Sequence, residues 1–211
     1  MLEFKNVTRL YTSNKGIKDC SWIVKEGVVG ILGNNGCGKT TTFKIILGLE
    51  EYDGKVLYEN KDIHLYSKRI FGYVPEERTL YQDCYVNDLL YMLARIKGFD
   101  EKEAQTRIDE HLRYFKIYSY KHKKVSELSK GNQQVLQIIC GVMHNPKILI
   151  LDEPFNGLDR NKLKLVIEYI RNRKLITLIS FHQSELVSKV CDQVIYLNDG
   201  IIYEVLEVAH D

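Results

Sequence analysis

The chain has 211 residues, enough for one domain with a well-buried core, and its composition is typical of a folded protein rather than a disordered or fibrous one. With 30 basic and 28 acidic residues the net charge is +2, which excludes a global field that would recruit nucleic acid. The five cysteines form no C-x-x-C pair, which argues against a disulfide framework and favours a reducing compartment. No run reaches about 18 apolar residues, so the sequence predicts no membrane span.

Alternating apolar and polar residues at 2–7 and 22–25 predict two strands in an antiparallel arrangement at the start of the chain. Four later apolar runs lack alternation, which is typical of parallel strands covered on both faces: 28–32, 148–151, 176–179 and 194–197. Helical patterns occupy 40–49, 132–144, 161–171 and 184–190. Alternation of strand and helix predicts an α/β fold.

The middle of the chain breaks this alternation. Residues 87–97 and 101–115 predict two consecutive helices with no strong strand between them. We therefore expect a single domain over residues 1–211, with a helical lobe at roughly 80–135 inserted into the α/β core.

A glycine-rich segment follows the predicted strand at 28–32 and precedes a helix. It matches the phosphate-binding pattern G-x-x-x-x-G-K-[ST], because the chain reads Gly33, Asn34, Asn35, Gly36, Cys37, Gly38, Lys39, Thr40. Glycines let successive N–H groups curve around a phosphate, and the helix end adds about 0.3–2 kcal/mol toward an anion. Lys39 and a metal ion are therefore expected to neutralise most of the charge. Thr40 is the expected magnesium ligand, and Thr41 is expected to reach the α-phosphate side.

The buried run at 148–151 ends in two acidic residues, Asp152 and Glu153. We expect Asp152 to hold magnesium through water, and Glu153 to orient or deprotonate the attacking water as a general base. Together with the glycine-rich loop, this pair predicts a P-loop NTPase core with a mostly parallel sheet. The antiparallel β subdomain and the inserted helical lobe complete the predicted fold.

Residues 128–134 read LSKGNQQ and lie upstream of the acidic strand. They are similar to the signature Leu-Ser-Gly-Gly-Gln-Gln of the ATP-binding cassette (ABC) ATPases, and the resemblance covers nearly the whole chain. It implies that two cassettes sandwich ATP head to tail, each signature closing on the partner's γ-phosphate. The signature residues here would be Ser129, Lys130, Gly131 and Asn132, with Lys130 standing where the family usually has glycine.

Other residues take roles that the same resemblance implies. Tyr11 looks like the aromatic residue that stacks on adenine, Asp159 like the acid of the loop that contacts the second cassette, and His182 like the histidine that senses γ-phosphate. Glu76 stands where the family usually has glutamine; we expect a metal contact from it, although its carboxylate repels the γ-phosphate. The run at 75–78 resembles the branch found in multidrug, antibiotic-resistance and sodium-export systems.

These observations predict a magnesium-dependent ATPase subunit of an exporter at the cytoplasmic face of the membrane, with ATP and Mg²⁺ as ligands. The expected partners are a separate transmembrane permease and a second ABC ATPase, identical or paralogous, and no nucleic acid. Three alternatives remain: a soluble cassette acting on DNA or the ribosome, a P-loop kinase, and a cassette that binds ATP without hydrolysing it. The first usually carries fused cassettes or coiled coils, the second has no use for a signature segment, and Glu153 with His182 argues against the third.

Overall fold

A computed structural model describes residues 1–11, 15–173, 175–181 and 184–209. The strands are β1 (Leu2–Leu10), β2 (Gly16–Val24), β3 (Val28–Leu32), β4 (Asp53–Tyr58), β5 (Lys61–Asp62), β6 (Phe71–Val74), β7 (Ile148–Leu151), β8 (Ile176–Phe181), β9 (Gln193–Asn198) and β10 (Ile201–Glu207). The α-helices are α1 (Lys39–Ile46), α2 (Val86–Ile96), α3 (Glu101–Tyr114), α4 (Lys130–Val142), α5 (Arg160–Arg171) and α6 (Val187–Val190). None of these helices is long and apolar enough to cross a lipid bilayer.

The strands form two sheets in the described part of the chain. One is antiparallel, in the order β2-β1-β4-β5, and the other has six strands in the order β10-β9-β3-β8-β7-β6. In the larger sheet all neighbours pair in parallel except β10, which pairs antiparallel with β9 at the edge. The prediction of an α/β fold with an antiparallel N-terminal sheet and a mostly parallel core sheet is confirmed.

The larger sheet lies between two hydrophobic clusters, which explains why its central strands show no polar alternation. On β3, Val28 and Leu32 belong to the cluster that contains the apolar faces of α3, α4 and α5, whereas Val29 and Ile31 belong to the cluster formed with α1 and the antiparallel sheet. Because successive side chains point to opposite faces, a strand covered on both faces must be apolar throughout. Full burial of each such side chain contributes about 1.5–3 kcal/mol.

Several element boundaries differ from the sequence prediction. Strands β4 and β6 were not predicted, because β4 begins with three exposed residues and β6 has only four residues, including Gly72. The helix predicted at 40–49 ends at Ile46, and Gly48 then takes a left-handed φ of 65°. The helix predicted at 184–190 is shorter, because a 3-10 turn at Ser184–Leu186 precedes α6.

Three helices, α2, α3 and α4, occupy the segment between β6 and β7. Leu90 of α2, Leu112 of α3 and Leu136 of α4 are fully buried in one cluster, so these helices share a hydrophobic interior with the sheet. The bounds of the inserted lobe, 80–135, stay a prediction.

A partly buried histidine, His144, connects the helical segment to β6. The ring nitrogen Nε2 of His144 lies 2.8 Å from the Phe71 carbonyl oxygen, to which the Lys97 ammonium also donates at 3.3 Å. Burial, together with the charge of Lys97, lowers the pKa of His144 to about 4. The imidazole is therefore neutral at physiological pH and donates from Nε2.

This pKa predicts acid sensitivity of the fold. An unfolded histidine titrates near 6.5, so the unfolded chain binds the proton first, and stability present above pH 6.5 is lost as the pH falls toward 4. His144→Gln keeps a donor for Phe71 but removes the titration. Both proteins should lose stability between pH 7 and 4.5. The loss of free energy of unfolding should be about 1–2 kcal/mol smaller in the variant than in the wild type, as measured by urea denaturation. His122→Gln, at an exposed position, is the control and should follow the wild type; parallel curves for all three proteins would contradict the prediction.

Candidate functional site

The glycine-rich loop at 33–38 joins the end of β3 to the start of α1. Gly33, Gly36 and Gly38 have φ values of 156°, 79° and 113°, which side chains rarely adopt. At Gly38 a Cβ would lie 2.6 Å from the Gly16 carbonyl oxygen, so the loop packs directly against the start of β2. At Gly36 a Cβ would meet nothing within 4 Å, so this part of the backbone is open to the surroundings.

Lys39, the first residue of α1, is buried within the loop. Its ammonium donates to the carbonyl oxygens of Gly33, at 2.6 Å, and of Asn34, at 3.2 Å. Cys37 is also buried, with its Sγ beneath Gly33. Backbone carbonyl groups of the loop therefore hold the Lys39 ammonium next to Gly33 and Asn34.

Asp152 and Glu153 follow β7 and are both buried. One carboxylate oxygen of Asp152 accepts a hydrogen bond from Thr40 Oγ1 at 3.1 Å, and the other accepts from Ser180 Oγ at 2.6 Å. The Glu153 N–H donates to the same Ser180 oxygen at 2.8 Å, and Glu153 has a left-handed φ of 49°. Sequence reasoning missed Ser180; its signal was a polar residue within the apolar run that precedes His182.

Residues of the glycine-rich loop, the start of α1 and the acidic pair line one cavity of about 390 Å³, a size typical of small-molecule sites. Its lining consists of Tyr11, Lys15, Gly16, Asn35, Gly36, Gly38, Lys39, Thr40, Thr41, Glu76, Asp152 and Glu153. Lys15 and Gly16 were not singled out in the sequence. The structure thus brings together most of the predicted nucleotide and metal residues in one place.

Tyr11 lies at the edge of this cavity. The Arg9 guanidinium lies 4.8 Å from the centre of its ring, and a hydrogen bond from Tyr11 lowers the pKa of Glu50. Contacts with Arg9 of the antiparallel sheet and with Glu50 therefore hold the Tyr11 ring in place.

The segment that carries Glu76 is fixed by a buried glutamine of α4. Gln137 Nε2 donates to the carbonyl oxygens of Pro75, at 2.8 Å, and Glu77, at 3.1 Å, while its Oε1 accepts from the Thr79 N–H at 3.1 Å. Burial and the nearby carboxylates of Asp152 and Glu76 raise the pKa of Tyr73 to about 12. Glu76 itself is exposed and lines the cavity.

The oxygen donors of the cavity fit a magnesium ion. Thr40, Asp152 and Glu76 offer a hydroxyl and two carboxylates, and Mg²⁺ is usually held by one or two carboxylates plus substrate phosphates and water. No group of three or more His, Cys, Asp or Glu side chains that could hold a metal occurs in the described residues.

The signature segment does not line this cavity. Ser129 caps α4 by accepting from the Asn132 N–H at 3.3 Å, and Ser129 and Lys130 are exposed. A Cβ on Gly131 would lie 3.0 Å from the Gly157 carbonyl oxygen, which places the segment beside the loop after Glu153.

Asp159 and His182 complete the set of predicted residues. Asp159 caps α5 through the N–H groups of Asn161 and Lys162, and the Lys162 ammonium bonded to it lowers its pKa. It does not line the cavity. His182 lies outside the described residues, directly after β8.

The chain is similar to known proteins in both sequence and fold. The family model described as ABC transporter matches residues 17–156. The chain belongs to the ABC transporter ATP-binding family. It is 40% identical over 205 residues to the ABC transporter ATP-binding protein YhaQ of Bacillus subtilis, covering 95% of this chain and 69% of that protein. It is 30% identical over 210 residues to the lipopolysaccharide export system ATP-binding protein LptB of Escherichia coli, covering 94% of this chain and 87% of that protein.

A solved ATP-binding subunit of an ABC transporter has the same fold as this cassette. The two share 28% identity with a TM-score of 0.89, over 99% of this chain and 90% of the other. The cassette is thus an ATP-binding subunit of an ABC transporter, from a family of ATPases.

The contacts of the loop predict that its glycines are not equivalent. Gly36→Ala introduces only an unfavourable φ and should lower the free energy of unfolding by about 1 kcal/mol. Gly38→Ala adds a clash with the Gly16 carbonyl oxygen, so it should lower the free energy of unfolding by about 2–4 kcal/mol. Urea denaturation measures both, and equal losses would show that the loop does not pack against β2 as described.

Proposed function

We propose that the cassette binds ATP with magnesium in the described cavity and hydrolyses it to drive a membrane transporter. The observation that carries the proposal is the meeting of Lys39, Thr40, Asp152 and Glu153 around one cavity beside an open glycine-rich backbone. Such an arrangement has a cation and N–H groups for phosphates, oxygen donors for a metal, and a carboxylate for the attacking water.

The roles of the side chains follow from their chemistry. Lys39 exchanges the loop carbonyls for phosphate oxygens, and the backbone around Gly36 donates to the same phosphates. Magnesium, held by Thr40, Asp152 and Glu76, would neutralise charge on the β- and γ-phosphates. Glu153 orients the attacking water and accepts its proton.

The working unit in this proposal is a pair of cassettes. The N–H groups at the start of α4 and the Ser129 hydroxyl would form an anion-binding helix end, and residues 129–132 are not among the described residues that line the chain's own cavity. A second cassette, identical or paralogous, would place its nucleotide against this end. Asp159 would act across the same contact, and His182 would sense the γ-phosphate, as the resemblance to the family implies.

The transported cargo passes through a separate permease in this proposal, and the cassette works at the cytoplasmic face of the membrane. Apolar side chains are exposed on α2 and just before it, at Tyr81, Tyr85, Met92 and Ile96. They lie on the chain shortly after the Glu76 segment and offer a surface for a membrane subunit. The export direction is supported by the similarity to LptB, whose name places it in an export system.

The proposal is tested by Glu153→Gln, which removes the general base and keeps the shape of the side chain. ATP turnover should fall by at least about 100-fold, since general bases contribute about 10²–10⁴-fold. The variant should form a dimer in magnesium-ATP and remain a monomer in magnesium-ADP, as measured by light scattering after size-exclusion chromatography.

Lys39→Ala in the same Glu153→Gln background is the matched control. It removes the cation of the loop, so ATP should no longer produce a dimer. Undiminished turnover in Glu153→Gln would contradict the role of this residue. A monomer in every condition would contradict a sandwich of two identical chains and leave closure to the permease or a paralogue.

A further inference from the structure

Strand β8 carries two buried hydroxyl groups in an otherwise apolar sequence, Thr177 and Ser180. Burying a hydroxyl is unfavourable unless it is hydrogen-bonded. Thr177 Oγ1 has no hydrogen-bond partner among the described residues, whereas Ser180 Oγ both donates and accepts a hydrogen bond. Comparing variants at the two positions therefore distinguishes the loss of a buried hydroxyl from the loss of its hydrogen bonds.

The register of β7 and β8 explains the contacts of Ser180. Leu151 lies opposite Ile179 in the parallel ladder, so the next residues of each strand, Asp152 and Ser180, are neighbours. Ser180 Oγ donates to Asp152 Oδ1 at 2.6 Å and accepts from the Glu153 N–H at 2.8 Å. One side chain therefore holds two consecutive residues of the site.

These contacts control two different degrees of freedom. With Oδ1 of Asp152 bound by Ser180, the other oxygen, Oδ2, is turned to Thr40 at 3.1 Å. The bond to the Glu153 N–H holds a backbone whose φ of 49° is unfavourable for a residue with a side chain. Without Ser180 the carboxylate keeps its hydrogen bond from Thr40 but loses the one that fixes Oδ1, and the backbone of Glu153 loses a contact that keeps it in this conformation.

We propose that Ser180 is a positioning residue for ATP hydrolysis, which orients the Asp152 carboxylate toward the metal site and holds Glu153 in place for the attacking water. It acts through these two residues and does not line the cavity. The inference rests on the proposed hydrolysis at Glu153 and adds a residue that shapes the metal site.

Ser180→Ala tests the inference, because it removes both hydrogen bonds and only one heavy atom. The turnover number for ATP should fall by about 10–100-fold, the range for residues that orient metal ligands. A second measurement needs no turnover: the affinity for a fluorescent ATP analogue, with magnesium and with EDTA. The variant should keep the EDTA affinity, since Lys39 and its loop are unchanged, and lose most of the gain that magnesium produces.

Two further variants make the result specific. Thr177→Val removes the unpartnered hydroxyl of the same strand and should keep wild-type turnover and the wild-type magnesium gain. Ser180→Thr restores a hydroxyl at the site and should recover turnover. Wild-type turnover and magnesium gain in Ser180→Ala would overturn the inference.

A purely structural role of Ser180 would give a different result. Loss of the EDTA affinity in Ser180→Ala, together with a lower melting temperature, would mean that the site has collapsed, and this result also overturns the inference. If the wild type hydrolyses no ATP, the proposed function fails, while the magnesium-dependent affinity still decides the role of Ser180.

Discussion

The parallel register of β3, β8, β7 and β6 is the constraint on which the rest of the site depends. Their ladders align Leu32 with Phe181, Ile179 with Leu151, and Leu151 with Val74, so the segments that follow emerge at one edge of the sheet. A slip of one residue would turn Asp152 and Ser180 to opposite faces. The sheet, rather than the loops, therefore brings Thr40 and Asp152 within hydrogen-bonding distance, although they are 112 positions apart in the sequence.

Electrostatic balance is the second constraint. Three carboxylates, those of Asp152, Glu153 and Glu76, line one cavity with the buried ammonium of Lys39. Carbonyl oxygens of Gly33 and Asn34 accept hydrogen bonds from this ammonium and hold it in the loop. Glu76 in place of the family's usual glutamine adds one negative charge to this balance.

Helix α4 links the two acidic segments of the cavity to the signature. Gln134 donates to the Pro154 carbonyl oxygen at 3.0 Å, next to Glu153, and Gln137 binds the segment around Glu76. Both glutamines are buried, where an unpaired amide would be costly, so these contacts hold α4 firmly to both segments. The segments that carry Glu153 and Glu76 are therefore both hydrogen-bonded to the helix that begins at the signature.

The sequence by itself determined the fold class, the loop at 33–40 and the acidic pair after β7, because apolar runs of strand length and a contiguous phosphate-binding pattern are local signals. It predicted Glu76 for the cavity from a resemblance. Strands β4 and β6, with weak local patterns, were missed. Only the tertiary structure revealed Ser180, His144 and Gln137, because their roles arise from partners on other strands and helices. Nothing local in a sequence distinguishes a buried hydroxyl that holds a carboxylate from one, such as Thr177, that has no such partner among the described residues.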